Sequence, residues 1–255
     1  MSDQETIYID PLSTTSLLLE IISNNNCIAK ATGFVINRGG TNFLITNWHV
    51  VSGKNSDNGQ LLSDTGVIPD SLAIIHHAQA RLGSWYRAIE PLYDDEGNPR
   101  WHEHPDGSRI DVVALPLRNT PPELVTFPFD LCLADVDLVP QPAMPISIIG
   151  YPFGLSTAGA WPIWKTGHIA SDPDLDYDGR PAFLIDATTR GGMSGSPVIV
   201  RMTGGYKNKE GNYIISSGVT TKFLGVYSGR IHGQAEIGRV WRPRVLNEIL
   251  QHIGR

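Results

Sequence analysis

The sequence predicts an all-β fold, because many short apolar or alternating runs are separated by turn residues. The chain has 255 residues, including 26 glycines and 18 prolines that interrupt it throughout. Apolar residues make up 41% of the chain, which is ample for a buried core. The length allows one large domain or two small ones, and the pattern leaves a sandwich and a barrel open.

Ten runs are predicted as strands, and each ends at a glycine, a proline or a polar cluster. The string "INRGGTNF" joins the second run to the third and predicts a tight hairpin. In chain order the runs are Leu17–Ile22, Cys27–Ile36, Asn42–Thr46, Leu72–His76, Asp111–Leu115, Pro145–Gly150, Ala182–Asp186, Val198–Arg201, Phe223–Tyr227 and Ile237–Trp241.

Only the end of the chain has a strong helical pattern. The string "RPRVLNEILQHIG" repeats apolar residues at spacings of three and four, which favours a surface helix that packs one apolar face on the core. Pro243 suits the first turn of this helix, and Gly254 suits its end.

Two segments are predicted to be irregular. Leu133–Pro145 is rich in proline and divides the strands into two sets of similar number, so it is predicted to link two halves. The region of Asp94–Ser108 has turn residues without apolar periodicity and is predicted to be a long loop.

Composition and charge exclude several classes of partner. The net charge is −6, the isoelectric point is about 5.7, and lysine and arginine are scattered, so no nucleic-acid partner is expected. No signal peptide and no apolar run of roughly 18–20 residues is present, so no membrane association is expected. Cys27 and Cys132 are predicted to be separate buried thiols. Together these features favour a cytoplasmic protein.

The string "TTRGGMSGSPVIV" at Thr188–Val200 raises the question of a catalytic serine. Glycines surround Ser194, and they permit the backbone shape that exposes a nucleophile and turns neighbouring N–H groups towards one point. An ordinary turn before a strand is the alternative. Ser196, between a glycine and a proline, is the rival serine and is predicted to be structural.

A nucleophilic serine needs a base, and the base needs an acceptor. His49 follows the apolar run "FLIT" and lies at the end of a predicted strand, although a hydrogen-bonded core histidine would fit the same pattern. Asp111 lies at the start of another apolar run. A carboxylate buried there must be hydrogen-bonded or paired with a charge, although Asp111 could instead cap a turn.

Three strings in the order His49, Asp111, Ser194 resemble the motifs of the chymotrypsin-fold (trypsin-like) serine peptidases. They are "LITNWHVV", "IDVVAL" and "GGMSGSPV", and the first is most similar to the Deg/HtrA-type bacterial branch. The string "IGYPFGLSTAGAWPIWKTGHIAS" is similar to a further segment of that branch. The resemblance covers roughly residues 15 to 242.

This resemblance implies two six-stranded antiparallel β-barrels (chymotrypsin-like) with a C-terminal α-helix. The N-terminal barrel, residues 1–135, would carry His49 and Asp111, and the C-terminal barrel, residues 136–255, would carry Ser194. It implies a serine endopeptidase that cleaves polypeptide substrates through an acyl-enzyme and needs no cofactor or metal.

The resemblance also implies substrate-contacting residues. The oxyanion hole would use the backbone of Gly192 and Ser194, with Met193 nearby. An uncharged Thr188 at the base of the specificity pocket argues against a preference for lysine or arginine, whereas Arg190 or His232 could reach an acidic side chain. The full set of predicted pocket residues is Thr188, Thr189, Arg190, Val226, Tyr227, Ser228 and Gly229.

Two departures from the family leave regulation open. Met193 stands where digestive relatives carry an aspartate that pairs with a new N-terminus, so no such activation switch is expected. No peptide-binding PDZ domain is expected either. A regulatory protein partner and any oligomeric state remain open.

Three rival interpretations remain. His102, Glu103 and His104 could supply metal ligands, although a polar loop explains them as well. A Ser–Lys dyad is a second enzyme alternative. A non-catalytic or partner-activated peptide-binding effector on the same fold is the third.

Overall fold

The computed structural model describes residues 7–118 and 120–253. Eight strands of the first half form one antiparallel sheet in the order β5-β4-β1-β2-β3-β7-β6, with β8 paired to β4. These strands are β1 (Ser16–Ser23), β2 (Asn26–Arg38), β3 (Thr41–Thr46), β4 (Ser71–Ala78), β5 (Trp85–Pro91), β6 (His102–Glu103), β7 (Val113–Pro116) and β8 (Leu124–Val125).

The predicted hairpin between the second and third runs is confirmed. Asn37 pairs with Asn42 and Arg38 with Thr41, so the loop contains only Gly39 and Gly40. Their φ values of 58° and 84° suit the tight turn that matches the twist of a hairpin. Two glycines are needed because a residue with a Cβ is strained in that conformation.

Six strands of the second half form a closed barrel in the order β10-β11-β14-β13-β12-β9. Neighbouring strands pair antiparallel throughout. The strands are β9 (Pro145–Gly150), β10 (Ile163–Ile169), β11 (Ala182–Asp186), β12 (Pro197–Lys207), β13 (Tyr213–Arg230) and β14 (Ile237–Trp241).

The prediction of a mainly β chain with a six-stranded antiparallel barrel and a C-terminal helix is confirmed. In the N-terminal half, strand pairing in the described residues follows a path of eight strands, and none of these pairings closes the path. The additional strands β6 and β8 have only two residues each; β6 pairs with β7, and β8 pairs with the end of β4. Such short segments carry no alternating pattern, so the sequence could not indicate them.

Three apolar clusters organise the interior. One fills the N-terminal sheet and includes Leu19 and Leu44, and a second fills the C-terminal barrel and includes Phe183 and Met193. The third contains Phe34 together with Phe223, so it joins the two sheets. The ring centroids of these two residues lie 6.0 Å apart, and the rings pack edge to face. The two halves therefore share a buried interface.

Helix α1 (Trp48–Ser52) follows β3, and helix α2 (Arg244–Ile253) ends the described chain. The buried face of α2 extends the cluster between the sheets and consists of Val245, Leu246, Ile249 and Leu250. Glu248 of α2 contacts His104 of the first half, with 2.6 Å between Oε2 and Nε2. Gly254, predicted to end the helix, lies outside the described residues.

Two further expectations can be compared with the structure. Cys27 and Cys132 are both free, but they are exposed, so the prediction of buried thiols is wrong. Cys27 lies on a part of β2 whose residues face solvent, although its sequence neighbours are apolar. None of the helices in the described residues has the length and apolar character needed to cross a membrane.

Candidate active site

His49 and Asp111 meet because β3 and β7 pair antiparallel. Thr46 at the end of β3 lies opposite Val113 at the start of β7, so the residues just beyond these ends are neighbours. Nδ1 of His49 lies 2.7 Å from Oδ2 of Asp111, and the His49 backbone N–H donates to Oδ1 at 2.9 Å. Asp111 is 2% exposed, and each of its carboxylate oxygens contacts His49.

Surrounding side chains fix this pair. The amide Nδ2 of Asn47 donates to the backbone oxygen of Asp111 at 2.6 Å. Glu103 Oε1 accepts from the indole N–H of Trp48 at 2.8 Å, which anchors the helix that carries His49. The same oxygen accepts from the indole N–H of Trp101 at 3.0 Å. The orientation of His49 is therefore set by a hydrogen-bonded shell rather than by one contact.

Two opposing effects set the pKa of the His49 imidazole. Burial alone would lower its pKa, but the charge of Asp111 and the hydrogen bond to it together raise the pKa above the ordinary value. The side chain remains 20% exposed, so it can reach a bound substrate. A base of this kind can accept a proton and then hold the resulting charge.

Ser194 and Ser196 have different surroundings. Ser194 is partly exposed and lines the same cavity as His49, together with Gly191 and Gly192. Ser196 is fully buried, and its hydroxyl has no hydrogen-bond partner among the described residues. Only Ser194 can reach a substrate. Within the described residues, no hydrogen bond joins its hydroxyl to His49.

The backbone carbonyls around Ser194 all have partners. The oxygen of Gly191 accepts from the Phe153 N–H at 2.6 Å, and that of Met193 accepts from the Ser196 N–H at 3.0 Å. The oxygen of Gly192 accepts from the Thr32 hydroxyl at 2.8 Å. The Thr32 N–H donates to the oxygen of Ser194 at 2.9 Å. Each peptide plane in this loop is therefore fixed.

These bonds determine where the N–H groups point, because the N–H and C=O of a trans peptide are opposed. The N–H of Met193 donates to the Arg190 oxygen at 3.3 Å. The N–H groups of Gly192 and Ser194 have no acceptor in the described part of the protein, and both residues line the cavity. The loop thus presents two free donors beside the Ser194 hydroxyl, as an oxyanion hole requires.

Comparison with known proteins agrees with this geometry. Residues 31–204 match the Trypsin-like peptidase domain family, which covers most of the chain. The chain belongs to this family. No curated protein matches it significantly.

Solved structures share the fold of this trypsin-like peptidase domain. A thermostable serine protease from an extremophilic microorganism is 12% identical, with a TM-score of 0.52, and the match covers 96% of this chain and 100% of that one. The serine endoprotease of Yersinia pestis is also 12% identical, with a TM-score of 0.51 and coverage of 97% and 68%.

The predicted specificity pocket of the trypsin-like domain is largely filled by its own side chains. Thr189 and Tyr227 are buried, and the Thr189 hydroxyl is hydrogen-bonded to the Tyr227 hydroxyl. Burial raises the pKa of Tyr227 to about 12, so its hydroxyl stays neutral. A Cβ on Gly238 would lie 2.6 Å from the Tyr227 ring, which shows how closely the ring fills this space. Val226 is also buried, whereas Thr188 is exposed.

The remaining predicted pocket residues lie around this filled centre. Ser228 and Gly229 line a small polar cavity of about 170 Å³ that also contains His49 and Asp111. Arg190 contacts both carboxylate oxygens of Glu236 at 3.1 Å. The charge of Arg190 is therefore already paired within the protein.

The other polar motif has a structural role. Glu103 anchors Trp48, and His104 contacts the terminal helix as described above. No group of three or more potential metal ligands occurs in the described residues. The string "HEH" thus supplies contacts that support the site from outside.

Sequence reasoning missed three residues that shape this trypsin-like site. Thr32 and Phe153 hold the nucleophile loop, and Asn47 holds Asp111. Phe153 has an unusual positive φ of 55°, and it lies in the string "GYPFG" that resembles a family segment. The string gave a signal for Phe153, whereas Thr32 lies in an ordinary strand and gave none.

Proposed function

We propose that the chain is a serine endopeptidase that uses His49, Asp111 and Ser194 to cleave polypeptides. The observation that carries the proposal is the pair of free N–H groups beside Ser194, in a cavity that also contains His49. The 2.7 Å contact of His49 with Asp111 supports the assignment of base and acceptor. Membership of the peptidase family supports a peptide hydrolase.

The first half of the proposed reaction forms an acyl-enzyme. The Ser194 oxygen attacks the carbonyl carbon of the scissile bond, and Nε2 of His49 takes the hydroxyl proton. Asp111 stabilises the imidazolium, while the Gly192 and Ser194 N–H groups bind the oxyanion. The C–N bond then breaks, and His49 gives its proton to the leaving amine. Met193 contributes its buried side chain to this arrangement, not its N–H.

The second half releases the acyl group. A water molecule attacks the ester carbon and gives its proton to His49. The bond between that carbon and the Ser194 oxygen breaks, and His49 returns the proton to that oxygen. The product is a carboxylic acid, and all protons and electrons balance without a cofactor.

The two halves of the chain form one peptidase domain in this proposal. Residues 1–135 supply His49 and Asp111, and residues 136–255 supply Ser194. The apolar cluster shared by the two sheets supports treating them as one functional unit. A closed N-terminal barrel, a cytoplasmic location and a bacterial source remain predictions from the sequence.

The two serines of one loop provide the test. Ser194→Ala should reduce peptide hydrolysis by several orders of magnitude and abolish labelling by a fluorophosphonate probe. Ser196→Ala removes only an unpartnered buried hydroxyl, so it should keep both activities. Labelled protein should carry the probe on Ser194. Normal hydrolysis by Ser194→Ala would contradict the proposal.

The second candidate is a partner-activated form of the same domain. It is favoured by the lack of a hydrogen bond between His49 and Ser194, although such bonds are often long in free enzymes. The test uses the same fluorophosphonate probe. The second candidate is correct if the purified protein is labelled only after a cell extract is added and Ser194→Ala is not labelled in either condition.

A further inference from the structure

We propose that this peptidase selects substrates mainly by apolar residues on the leaving-group side of the scissile bond, which bind a cleft beside Ser194. This inference rests on the proposed function. It concerns which polypeptides the site accepts.

Two cavities meet at His49, and they differ in size and chemistry. The polar one, about 170 Å³, runs along Ser228 and Gly229, which belong to the predicted pocket for the residue before the scissile bond. The other has a volume of about 550 Å³ and begins at Ser194 and Gly192. It is lined by Gly192 and Ser194 but not by Ser228 or Gly229, so we assign it to the residues after the scissile bond.

The walls of the larger cleft are predominantly apolar. They come from β1 and β2, from α1, and from the loop between α1 and β4. The larger apolar residues of the lining are Ile21, Ile28, Val50, Leu62, Val67 and Pro69. Ile28 is 43% exposed and Leu62 is 54% exposed, so both present apolar surface that a substrate would cover.

The strand beside this cleft can also hold a peptide backbone. Thr32 directs its N–H away from β1, since it donates to Ser194. In an antiparallel pair, the N–H and C=O of successive residues point alternately towards the partner strand and away from it. Lys30, opposite Glu20, lies two residues before Thr32 and so has the same orientation as Thr32. Lys30 therefore directs its N–H and C=O to the same side, along the cleft. A substrate strand can pair there while its side chains contact Ile28 and Leu62.

The predicted pocket for the residue before the scissile bond offers less discrimination between substrate side chains. Thr189 and Tyr227 belong to the two predicted walls of the pocket, and their hydroxyl groups are hydrogen-bonded to each other. Arg190 is paired with Glu236. A large side chain before the scissile bond would have to displace a buried, hydrogen-bonded ring. The open apolar surface therefore lies in the larger cleft.

The test uses fluorescence-quenched peptides that share the residues before the cleaved bond and differ after it. We expect wild-type kcat/KM to be at least about 10-fold higher with leucine and valine after the bond than with serine and aspartate. Ile28→Asp should bring this ratio close to one. Ile215→Asp, a matched change on the distant β12–β13 hairpin where Ile215 is 84% exposed, should leave the ratio unchanged.

An activated ester without leaving-group residues separates the two proposals. If the protein hydrolyses the ester but cleaves all the peptides equally, the selectivity inference is wrong and the proposed function stands. If it hydrolyses neither substrate and Ser194→Ala behaves identically, both fail. An unchanged ratio in Ile28→Asp would also overturn the inference.

Discussion

The hydroxyl of Thr32 is expected to control the oxyanion hole from the other half of the molecule. Thr32 is fully buried in β2, and its Oγ1 donates to the Gly192 oxygen at 2.8 Å and accepts from the Tyr151 N–H at 3.1 Å. Thr32→Val keeps the shape of the side chain but removes both bonds. The substitution therefore tests the hydrogen bonds with little change in volume.

Two effects of different size follow. The change leaves two buried polar groups without partners, each at a cost of about 1–3 kcal/mol, so we expect a loss of roughly 2–6 kcal/mol in the free energy of unfolding. The Gly192–Met193 peptide also loses the bond that fixes it, and this peptide lies between the two peptides that carry the Gly192 and Ser194 N–H donors. Removing an entire oxyanion donor costs about 10²–10³ in kcat, so a misoriented donor should cost about 10- to 100-fold.

Two control variants separate catalysis from stability. Thr46→Val removes one buried bond, from the Thr46 hydroxyl to the Thr32 oxygen at 2.9 Å, without touching the carbonyls of the nucleophile loop. It should lose stability but keep kcat within about threefold of wild type, because no oxyanion donor changes. Thr32→Ser retains the hydroxyl and should recover most of the activity.

The assay combines urea unfolding with ester hydrolysis and with binding of a peptide boronate, which adds to the serine and places an oxygen in the hole. Thr32→Val should weaken boronate binding in parallel with kcat. If Thr32→Val lost stability but kept the kcat and boronate affinity of Thr46→Val, Thr32 would be structural only.

Three further predictions concern pH. Asp111 raises the pKa of His49, so the acid limb of the pH profile of kcat/KM should have its midpoint above the ordinary 6.5. Asp111→Asn should move this midpoint to lower pH. The same substitution should reduce kcat/KM on the plateau by about 10⁴. The same pair should stabilise the fold fully below about pH 6.5 and lose its contribution as the pH rises through the raised pKa, as measured by urea unfolding. Burial, with the neighbouring His77, lowers the pKa of His76 to about 4, so stability should fall by about 3 kcal/mol as the pH drops from 6.5 to 4. His76→Gln should flatten the dependence of the free energy of unfolding on pH in this range. His232→Gln, at an exposed histidine, should preserve it. Equal slopes in the two variants would contradict the reasoning.

The sequence predicted the parts of the site that follow from local pattern. His49 and Asp111 could be placed because each lies beside an apolar strand, and glycines marked Ser194. The filled pocket could not be predicted, because the contact of Thr189 with Tyr227 joins residues far apart in sequence. For the same reason Thr32 gave no signal, since its role comes from contacts across two sheets.

The residue before the proposed nucleophile is apolar and is held by packing. Met193 is fully buried in the core of the C-terminal barrel, where an apolar side chain is stable and an unpaired carboxylate would be costly. The loop above it is held by Phe153 from one side and by Thr32 from the N-terminal sheet. The orientation of the oxyanion donors therefore depends on how the two sheets pack against each other. It follows that a change that loosens the shared cluster, such as Phe223→Ala beside Phe34, should reduce the ordering of the hole as well as the overall stability.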